Sequence, residues 1–270
     1  MSAWWMAEKR RFVKNLERDL TELGQKKTRA STTVLMPTSP IPSHPSTAMI
    51  EETIESIHAN LGDVETIIMC DGVRPEQADR EDDYAEYLRR LTVLCQRRWT
   101  NVLPVVFDTF QHQANMTRAA LELVDTPTVL FVEHDTPLVT DEPIDWQGCF
   151  RSLNANELDV IRFHFEARIP DAHRHLMRDT VPLKGQIPYL RTTQWSQRPH
   201  LARTDYYRKI IDEFFPSTSR TMIEDRMHGI CQNQPWVRNR IGIYAPGKNL
   251  KRSLNLDGRG DDPKYEMRFS

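Results

Sequence analysis

The segment Thr128-Val-Leu-Phe-Val-Glu-His-Asp-Thr-Pro137 decides how the rest of the chain is interpreted. Its apolar residues, Val129 to Val132, predict a buried strand, and two carboxylates, Glu133 and Asp135, follow directly. In open α/β sheets, ligands bind beyond the carboxyl ends of the strands. Hard cations such as Mg²⁺ and Mn²⁺ prefer oxygen ligands of this kind. The segment therefore predicts a cation site at the end of a strand.

The residues around this segment alternate between predicted strands and predicted helices. Apolar residues run continuously in the strands and recur at helical spacing in the helices. Strands are predicted at 32–36, 64–70, 101–107 and 128–132, and helices at 46–61, 77–98 and 115–124. This alternation predicts an α/β fold with a mostly parallel central sheet flanked by helices.

The two ends of the chain and its second half are less regular. Residues 4–27 predict a helix, so residues 1–30 are assigned to an N-terminal arm. Further elements are predicted as strands at 158–165 and 189–195 and as helices at 204–214 and 222–231. An excursion rich in His and Arg lies between them, at 166–188, and a polar tail follows from 248 to 270.

Composition limits the class of protein. The chain has 270 residues, 39% of them hydrophobic, and a formal net charge of -2, so a sizeable core is expected and charge alone does not indicate a nucleic-acid partner. No apolar run approaches the roughly 18 residues that span a bilayer. The four cysteines are far apart and form no CxxC pair, which predicts reduced cysteines in a cytoplasmic protein.

Four landmarks occur in the order found in GT-A glycosyltransferases of the family 2 type, which the chain resembles over about residues 32–260. They are the strand and loop Val34–Ser39, the strand-end Asp71, the Glu133-His-Asp135 motif and the pair Glu224-Asp225. Enzymes of this family transfer a sugar from a nucleotide-diphosphate sugar to an acceptor hydroxyl. The resemblance implies a Rossmann-like nucleotide-sugar-binding fold. It divides the domain, 31–260, into a nucleotide-sugar half at 31–137, an acceptor half at 138–247 and a C-terminal loop.

The resemblance also implies a role for each landmark. Pro37, Thr38 and Ser39 would line the pocket for the nucleotide base, and Asp71 would contact the base or the ribose. Asp135 would hold Mn²⁺ or Mg²⁺ on the diphosphate of a UDP- or GDP-sugar, and Glu133 would contact the ribose or the metal. The pair Glu224-Asp225 would supply the catalytic base of an inverting enzyme, with Asp225 as the preferred member.

Three further positions are candidate contacts to the substrates. Arg118, near the start of the predicted helix at 115–124, is a candidate for donor phosphate or sugar, as family members often place a polar or basic residue there; ordinary helix capping by Asn115 is the alternative reading of this segment. Trp195 and Arg198 are candidates for the acceptor, because an aromatic ring stacks well on a sugar or base; a core tryptophan is the alternative. Some GT-A enzymes add a late metal ligand from a C-terminal loop, and the resemblance makes Asp257 or Asn255 of the tail, or His228 of the predicted helix at 222–231, a candidate for it.

The acceptor and the class of activity stay open at this stage. Basic residues in the first thirty positions and the pairs Arg89-Arg90 and Arg97-Arg98 suggest a phosphate-rich partner, such as a modified base in phage DNA. A sugar nucleotidyltransferase is an alternative, although the loop after the first strand is rich in proline and has no glycine. A nuclease built from Glu133, Asp135 and Asp225, or a non-catalytic carbohydrate- or nucleic-acid-binding protein, is a further alternative.

Overall fold

The computed structural model describes residues 31–256, and its first half confirms the predicted alternation. The strands are β1 (Thr32–Thr38), β2 (Thr66–Cys70), β3 (Val102–Val106) and β4 (Thr128–Phe131). The helices between them are α1 (Ala48–Leu61), α2 (Glu81–Arg97) and α3 (His112–Leu121), and a 3-10 helix, Pro75–Arg80, precedes α2. The predicted arm at 1–30 and Asp257 lie outside the described residues.

The second half contains elements that the sequence predicts and others that it does not. The predicted helices correspond to α5 (Thr204–Phe214) and α6 (Ile223–Asn233), and the predicted strands to the shorter β5 (Val160–Arg162) and β7 (Pro188–Arg191). The elements without a prediction are α4 (Trp146–Asn154), a 3-10 helix (Asp171–Leu176), β6 (Leu183–Lys184), β8 (His200–Arg203), α7 (Pro235–Arg238) and β9 (Ile241–Tyr244).

The strands of residues 31–256 form one sheet, in the order β3-β2-β1-β4-β8-β5-β9-β7-β6. Strands β3, β2, β1 and β4 are parallel, as predicted. Strand β8 lies between β4 and β5 and is antiparallel to both. The start of β8 is therefore at the same edge of the sheet as the ends of β4 and β5.

Helices cover both faces of the sheet, because the central strands are apolar on both sides. In β1, Val34 and Met36 face the core formed with α1, α2 and α4. Leu35, between them, faces the core formed with α3, α5 and α6. Side chains alternate between the two faces of a strand, so a continuous apolar run is what a strand between two helical layers requires. In residues 31–256 no helix is both long and apolar enough to cross a membrane.

Candidate functional site

A cavity of about 670 Å³ lies beyond the carboxyl ends of β1, β2 and β4. Its volume is within the range of roughly 300–1,000 Å³ that is usual for small-molecule sites. Six of the residues selected from the sequence line it: Pro37, Thr38, Ser39, Asp71, Glu133 and Asp135. The cavity wall also contains residues for which the sequence predicts no role, among them Arg74, Gln77, Arg80, His112, Gln113, His134 and Met222.

Asp71 joins the end of β2 to the loop that precedes α3. Its Oδ1 accepts hydrogen bonds from the N–H groups of Gly72 (2.8 Å) and Gln111 (2.7 Å), and its Oδ2 accepts one from the N–H of His112 (3.0 Å). Burial raises the pKa of Asp71, and these backbone hydrogen bonds oppose the rise. The carboxylate therefore holds the cavity wall in shape, in addition to any contact with a ligand.

Gly72 is needed because two backbone segments approach closely at this point. A Cβ on Gly72 would lie 2.3 Å from the carbonyl carbon of Thr109 and 2.4 Å from the nitrogen of Phe110. Contacts this short are not tolerated between backbone atoms, so a side chain here would force the loops apart. The sequence pair Asp71-Gly72 thus marks both a strand end and a backbone contact beside the cavity.

His112 adopts a left-handed backbone conformation, with φ of 63°, at the start of α3. Such a conformation costs a non-glycine residue about 1 kcal/mol or more and is often found at functional sites. The Nδ1 of His112 accepts a hydrogen bond from the N–H of Gln113 at 2.9 Å. Burial lowers the pKa of His112, as does the charge of Arg74, and the nearby Asp225 carboxylate raises it.

The strand-end carboxylates differ in their surroundings. Glu133 Oε1 accepts a hydrogen bond from Gln113 Nε2 at 3.1 Å. Asp135 is only 7% exposed, and among residues 31–256 no hydrogen bond is donated to its carboxylate. A largely buried carboxylate without a donor is unfavourable unless a cation balances it. The turn that carries both residues is fixed by Thr53, whose Oγ1 donates to the carbonyl of His134 at 2.8 Å.

These two carboxylates fit Mg²⁺ or Mn²⁺ together with a phosphate ligand. No group of three metal-ligating side chains occurs within the described part of the chain. Mg²⁺ is usually held by one or two carboxylates, with substrate phosphates and waters completing the shell. The donor set at the end of β4 therefore suits a cation that arrives with a diphosphate. The predicted ligand Asp257 lies outside the described residues.

Gln113 connects the cavity to the second half of the protein. Its Oε1 accepts hydrogen bonds from Gln197 Nε2 (2.8 Å) and from the N–H of Ile223 (3.0 Å), the first residue of α6. Gln197 Oε1 in turn accepts one from the indole N–H of Trp195 at 2.7 Å. One buried amide thus fixes Glu133, the segment before β8 and the start of α6 relative to one another.

The pair Glu224-Asp225 lies in the first turn of α6, beside the cavity. Met222, which precedes the helix, lines the cavity, and Asp225 is exposed and close enough to influence His112 by charge. Glu224 Oε1 is 3.6 Å from His228 Nε2, one helical turn further on. Neither carboxylate lines the cavity itself, but Asp225 lies near the wall residue His112, and Glu224 lies near His228.

The predicted roles of Arg118 and Trp195 are wrong. The guanidinium of Arg118 pairs with Asp212 and donates to the carbonyls of Ile211 and Phe215, so it ties α3 to α5 and does not line the cavity. Trp195 is 1% exposed and packs edge-on against His200 and Tyr207, so its ring cannot stack on an acceptor.

Two polar atoms of the cavity wall are buried without a hydrogen-bond partner in residues 31–256. Gln77 Oε1 and His134 Nε2 are buried without a partner among the described residues. The amide of Gln77 is oriented by its Nε2, which donates to the carbonyl of Pro40 at 3.1 Å. Buried polar atoms are nearly always hydrogen-bonded in native proteins, so a water or a polar ligand in the cavity would satisfy these two atoms.

The arginine pairs on α2 are largely neutralised. Arg89 and Arg90 both pair with Glu86, and Arg98 pairs with Glu51 and Glu55 of α1. These ion pairs are on the surface, where they contribute little to stability. They account for the pairs as a solvated helix face, which leaves the predicted phosphate-rich partner without support from this surface.

Comparison with known proteins places the fold. No protein-family model matches the chain, and no curated protein matches its sequence. Among solved structures, S. aureus TarS 1–349 is 15% identical with a TM-score of 0.53, over 84% of this chain and 61% of that one. A further structure of the same TarS fragment is a complex with UDP-GlcNAc (14% identity, TM-score 0.52, 83% and 58% covered).

Two further structures carry a metal with their nucleotide. The mannosyltransferase PcManGT from Pyrobaculum calidifontis, in complex with GDP-Man and Mn²⁺, is 12% identical over 95% of this chain and 69% of that one, with a TM-score of 0.54. GalNAc-T7 with UDP, GalNAc and Mn²⁺ is 6% identical over 81% and 43%, with a TM-score of 0.51. The chain has the GT-A fold of these nucleotide-sugar transferases, as predicted. It spans about three fifths of the TarS fragment.

Proposed function

We propose that this chain, which has the GT-A fold, is a metal-dependent glycosyltransferase that transfers a sugar from a nucleotide-diphosphate sugar to an acceptor hydroxyl. One observation carries the proposal: a single cavity of about 670 Å³ is lined both by the loop Pro37–Ser39 and by the carboxylates Glu133 and Asp135. The first group suits a base and the second a metal-bound diphosphate. Structural neighbours that hold UDP-GlcNAc, or GDP-Man with Mn²⁺, support this arrangement.

The wall offers groups for each part of the donor. Pro37, Thr38 and Ser39 would contact the base, with Gln77 Oε1 as an unfilled acceptor for one of its N–H groups. Arg74 and Arg80 also line the cavity, and neither forms an ion pair with a carboxylate in residues 31–256. Arg74 lies over the ring of Phe110, with its guanidinium carbon 4.6 Å from the ring centroid. Both cations would bind phosphate oxygens through charge-assisted hydrogen bonds.

Asp135 would hold the divalent cation, Mn²⁺ or Mg²⁺. When bound, such a cation stabilises the negative charge that develops on the leaving diphosphate. Glu133, held by Gln113, would contact the ribose or the cation from a fixed position. Asp257 stays a predicted ligand.

Asp225 would act as the general base that removes the proton from the acceptor hydroxyl. It is exposed, and its charge acts on His112 of the cavity wall, so an acceptor can approach it from the solvent. Glu224, beside His228, is the second choice. A positioned general base typically contributes about 10²–10⁴-fold to the rate of the catalysed reaction. The proposal of an inverting reaction rests only on this candidate general base.

A thermal-shift screen tests the proposal. UDP- and GDP-sugars are added with and without Mn²⁺ to the wild type, to Asp135→Asn and to the control Asp141→Asn, which changes an exposed carboxylate. A ligand at a hundred times its Kd stabilises a protein by about 2.7 kcal/mol. We expect a Mn²⁺-dependent shift with one nucleotide sugar, lost in Asp135→Asn and kept in Asp141→Asn.

Three other results would contradict the proposal. A wild type that shows no metal-dependent shift with any nucleotide sugar does not have this donor site. Release of pyrophosphate from a nucleoside triphosphate and a sugar phosphate would identify a nucleotidyltransferase. Binding of a nucleotide sugar without hydrolysis or transfer would identify a binding protein.

The acceptor predicted from the sequence, a modified base in DNA, stays a prediction, as does a cytoplasmic location. DNA binding through phosphates weakens steeply with salt. Affinity for duplex DNA that does not change between 50 and 200 mM salt, or no affinity at all, would contradict a DNA acceptor.

A further inference from the structure

A second group of charged residues lies at the same edge of the sheet, beyond β5 and before β8. Arg162 ends β5, His164 follows two residues later, and Arg198 precedes β8 by two residues. Arg162 pairs with His200 in the register of β5 and β8, so the three side chains belong to neighbouring strand ends. This group is separate from the cavity described above, whose wall contains none of its members.

Arg162 is a buried cation without a carboxylate partner. It is 6% exposed, its Nη group donates to the carbonyl of Gln194 at 3.0 Å, and its Nε has no hydrogen-bond partner among the described residues. Burial lowers the pKa of Arg162 to about 10. The carboxylate of Glu224 opposes this lowering of the pKa, and the positive charge of Arg198 adds to it. Arg162 is therefore charged at neutral pH and lies within electrostatic reach of both α6 and Arg198.

Arg198 is held in place and is partly exposed. Its guanidinium carbon lies 3.9 Å from the centre of the Phe165 ring, and no ion pair involving Arg198 occurs in residues 31–256. A guanidinium stacked on an aromatic ring keeps its N–H groups free at the edge, where they can bind a planar or tetrahedral anion bidentately. The side chain thus loses little freedom when such an anion binds.

His164 lies within electrostatic reach of both arginines, Arg162 and Arg198. The carboxylates nearby are Glu166, whose Oε2 is 3.5 Å from His164 Nε2, and Glu224, which acts on Arg162. Within residues 31–256 neither arginine forms an ion pair with these carboxylates.

We propose that this group, Arg162, His164 and Arg198, binds an anionic group of the acceptor, a phosphate or a carboxylate. Arg198 makes the direct contact, and Arg162 beneath it supplies positive potential. The assignment rests on the proposed function, because it takes the acceptor hydroxyl to be placed by Glu224-Asp225 between this group and the donor cavity. The acceptor is accordingly an acidic molecule rather than a neutral sugar.

Calorimetric titration of inorganic phosphate tests the assignment, in the presence of Mg²⁺ and an excess of UDP or GDP to fill the donor cavity. The variant is Arg198→Gln, and the control is Arg89→Gln, which changes an arginine paired with Glu86 on α2. A charged hydrogen bond of this kind is worth about tenfold or more in affinity. We expect Arg198→Gln to weaken phosphate binding at least about tenfold and Arg89→Gln to leave it unchanged.

A third variant, Arg80→Gln, shows where the phosphate binds. Loss of phosphate binding in Arg80→Gln but not in Arg198→Gln would place the phosphate in the donor cavity and overturn the assignment. Equal affinity in the wild type and Arg198→Gln, or binding of neither phosphate nor acetate by the wild type, would also overturn it. Titration with acetate distinguishes a carboxylate site from a phosphate site.

Two further measurements keep the result interpretable. Phe165→Leu removes the ring beneath Arg198 and should weaken phosphate binding several-fold, so it replaces Arg198→Gln if that variant does not fold. The nucleotide-sugar thermal shift is measured on the same proteins. Phosphate binding that depends on Arg198, without any nucleotide-sugar shift, would support the anion site and reject the donor proposal; the reverse pattern would reject the anion site alone.

Discussion

Gln113 donates a hydrogen bond from Nε2 to Glu133 Oε1 at 3.1 Å, and this contact joins the two halves of the site. The other end of the same amide accepts from Gln197 and from the N–H of Ile223. A glutamine amide has both donors and acceptors, which is why it can serve a carboxylate on one side and N–H groups on the other. Gln113 therefore links the start of α6 to Glu133 at the end of β4.

Gln113→Leu should destabilise the protein by about 2–4 kcal/mol, because it leaves buried partners of Gln113 without a hydrogen bond. Urea denaturation measures the loss. The control Gln232→Ala changes an exposed glutamine of α6 and should alter the unfolding free energy by no more than about 0.5 kcal/mol. A loss in Gln113→Leu as small as that of the control would show that the network carries no stability.

Asp225→Asn should lower kcat by about 10²–10⁴-fold and leave the nucleotide-sugar thermal shift unchanged. The reason is that an amide cannot accept the proton of the acceptor hydroxyl but fills the same volume. Glu224→Gln is the matched comparison on the same turn of α6. If Glu224→Gln lowers kcat more than Asp225→Asn does, the base is Glu224; if donor binding falls instead of kcat, neither is the base.

Gly72→Ala and Gly229→Ala should have opposite effects on stability. The new Cβ at position 72 would meet backbone atoms at 2.3 and 2.4 Å, so we expect a loss of about 1–3 kcal/mol from the shifted loops. At position 229, within α6, no atom lies within 4 Å, and alanine should stabilise the helix by up to about 1 kcal/mol. Thermal or urea denaturation of both variants measures the difference, and the same sign for both would contradict the geometry.

Buried histidines should make the protein sensitive to mild acid. Burial lowers the pKa of His44 to about 3, and the pKa values of His164 and His200 to about 4, from the usual value of about 6.5 for histidine. The unfolded chain therefore binds more protons than the folded protein as the pH falls from about 6.5 to about 4. Stability is lost across that window, by about 1.4 kcal/mol per pH unit for each such histidine.

His200→Phe tests this pH dependence. His200 is stacked between Phe131 and Tyr207, at ring-centre distances of 5.3 and 5.8 Å, so phenylalanine fits the same stack without a proton site. Urea denaturation at pH 7, 6 and 5 gives the slope of stability against pH. We expect the slope of unfolding free energy against pH to fall in the variant by the contribution of one titrating group, about 1.4 kcal/mol per pH unit. An unchanged slope would show that His200 is not a group that titrates in this window.

The sequence was sufficient to predict those site residues whose position follows from strand direction. Asp71, Glu133 and Asp135 each come directly after an apolar run, and the carboxyl ends of parallel strands meet at one edge. The prediction for the loop Pro37–Ser39 rests on the family resemblance, and the loop lines the cavity. The parallel order of the first four strands follows from their separation by helices, which are long enough to cross from one end of a strand to the other.

Other residues could not be predicted because their role depends on partners far away in sequence. In the sequence, Gln113 and Gln197 are ordinary polar residues. Their structural role depends on the hydrogen bond between them and on the one from Gln113 to Glu133. Arg118 was misassigned because a helix start near the metal strand does not reveal which face of the helix meets α5. Trp195 was misassigned because its burial depends on the unpredicted strand β8, which brings His200 against it.

The antiparallel insertion of β8 fixes the distance between the two proposed binding sites. Only one strand separates β4, which precedes the carboxylates proposed to hold the cation, from β5, which ends at Arg162. Two interstrand spacings amount to about 9–10 Å, little more than the breadth of one or two sugar rings. Hydrogen-bonded strands do not slide apart, so this span is fixed. Under the two proposals above, the donor diphosphate binds at one end of this span and the anionic group of the acceptor at the other. The acceptor is therefore expected to carry its charge within a few bonds of the hydroxyl that reacts.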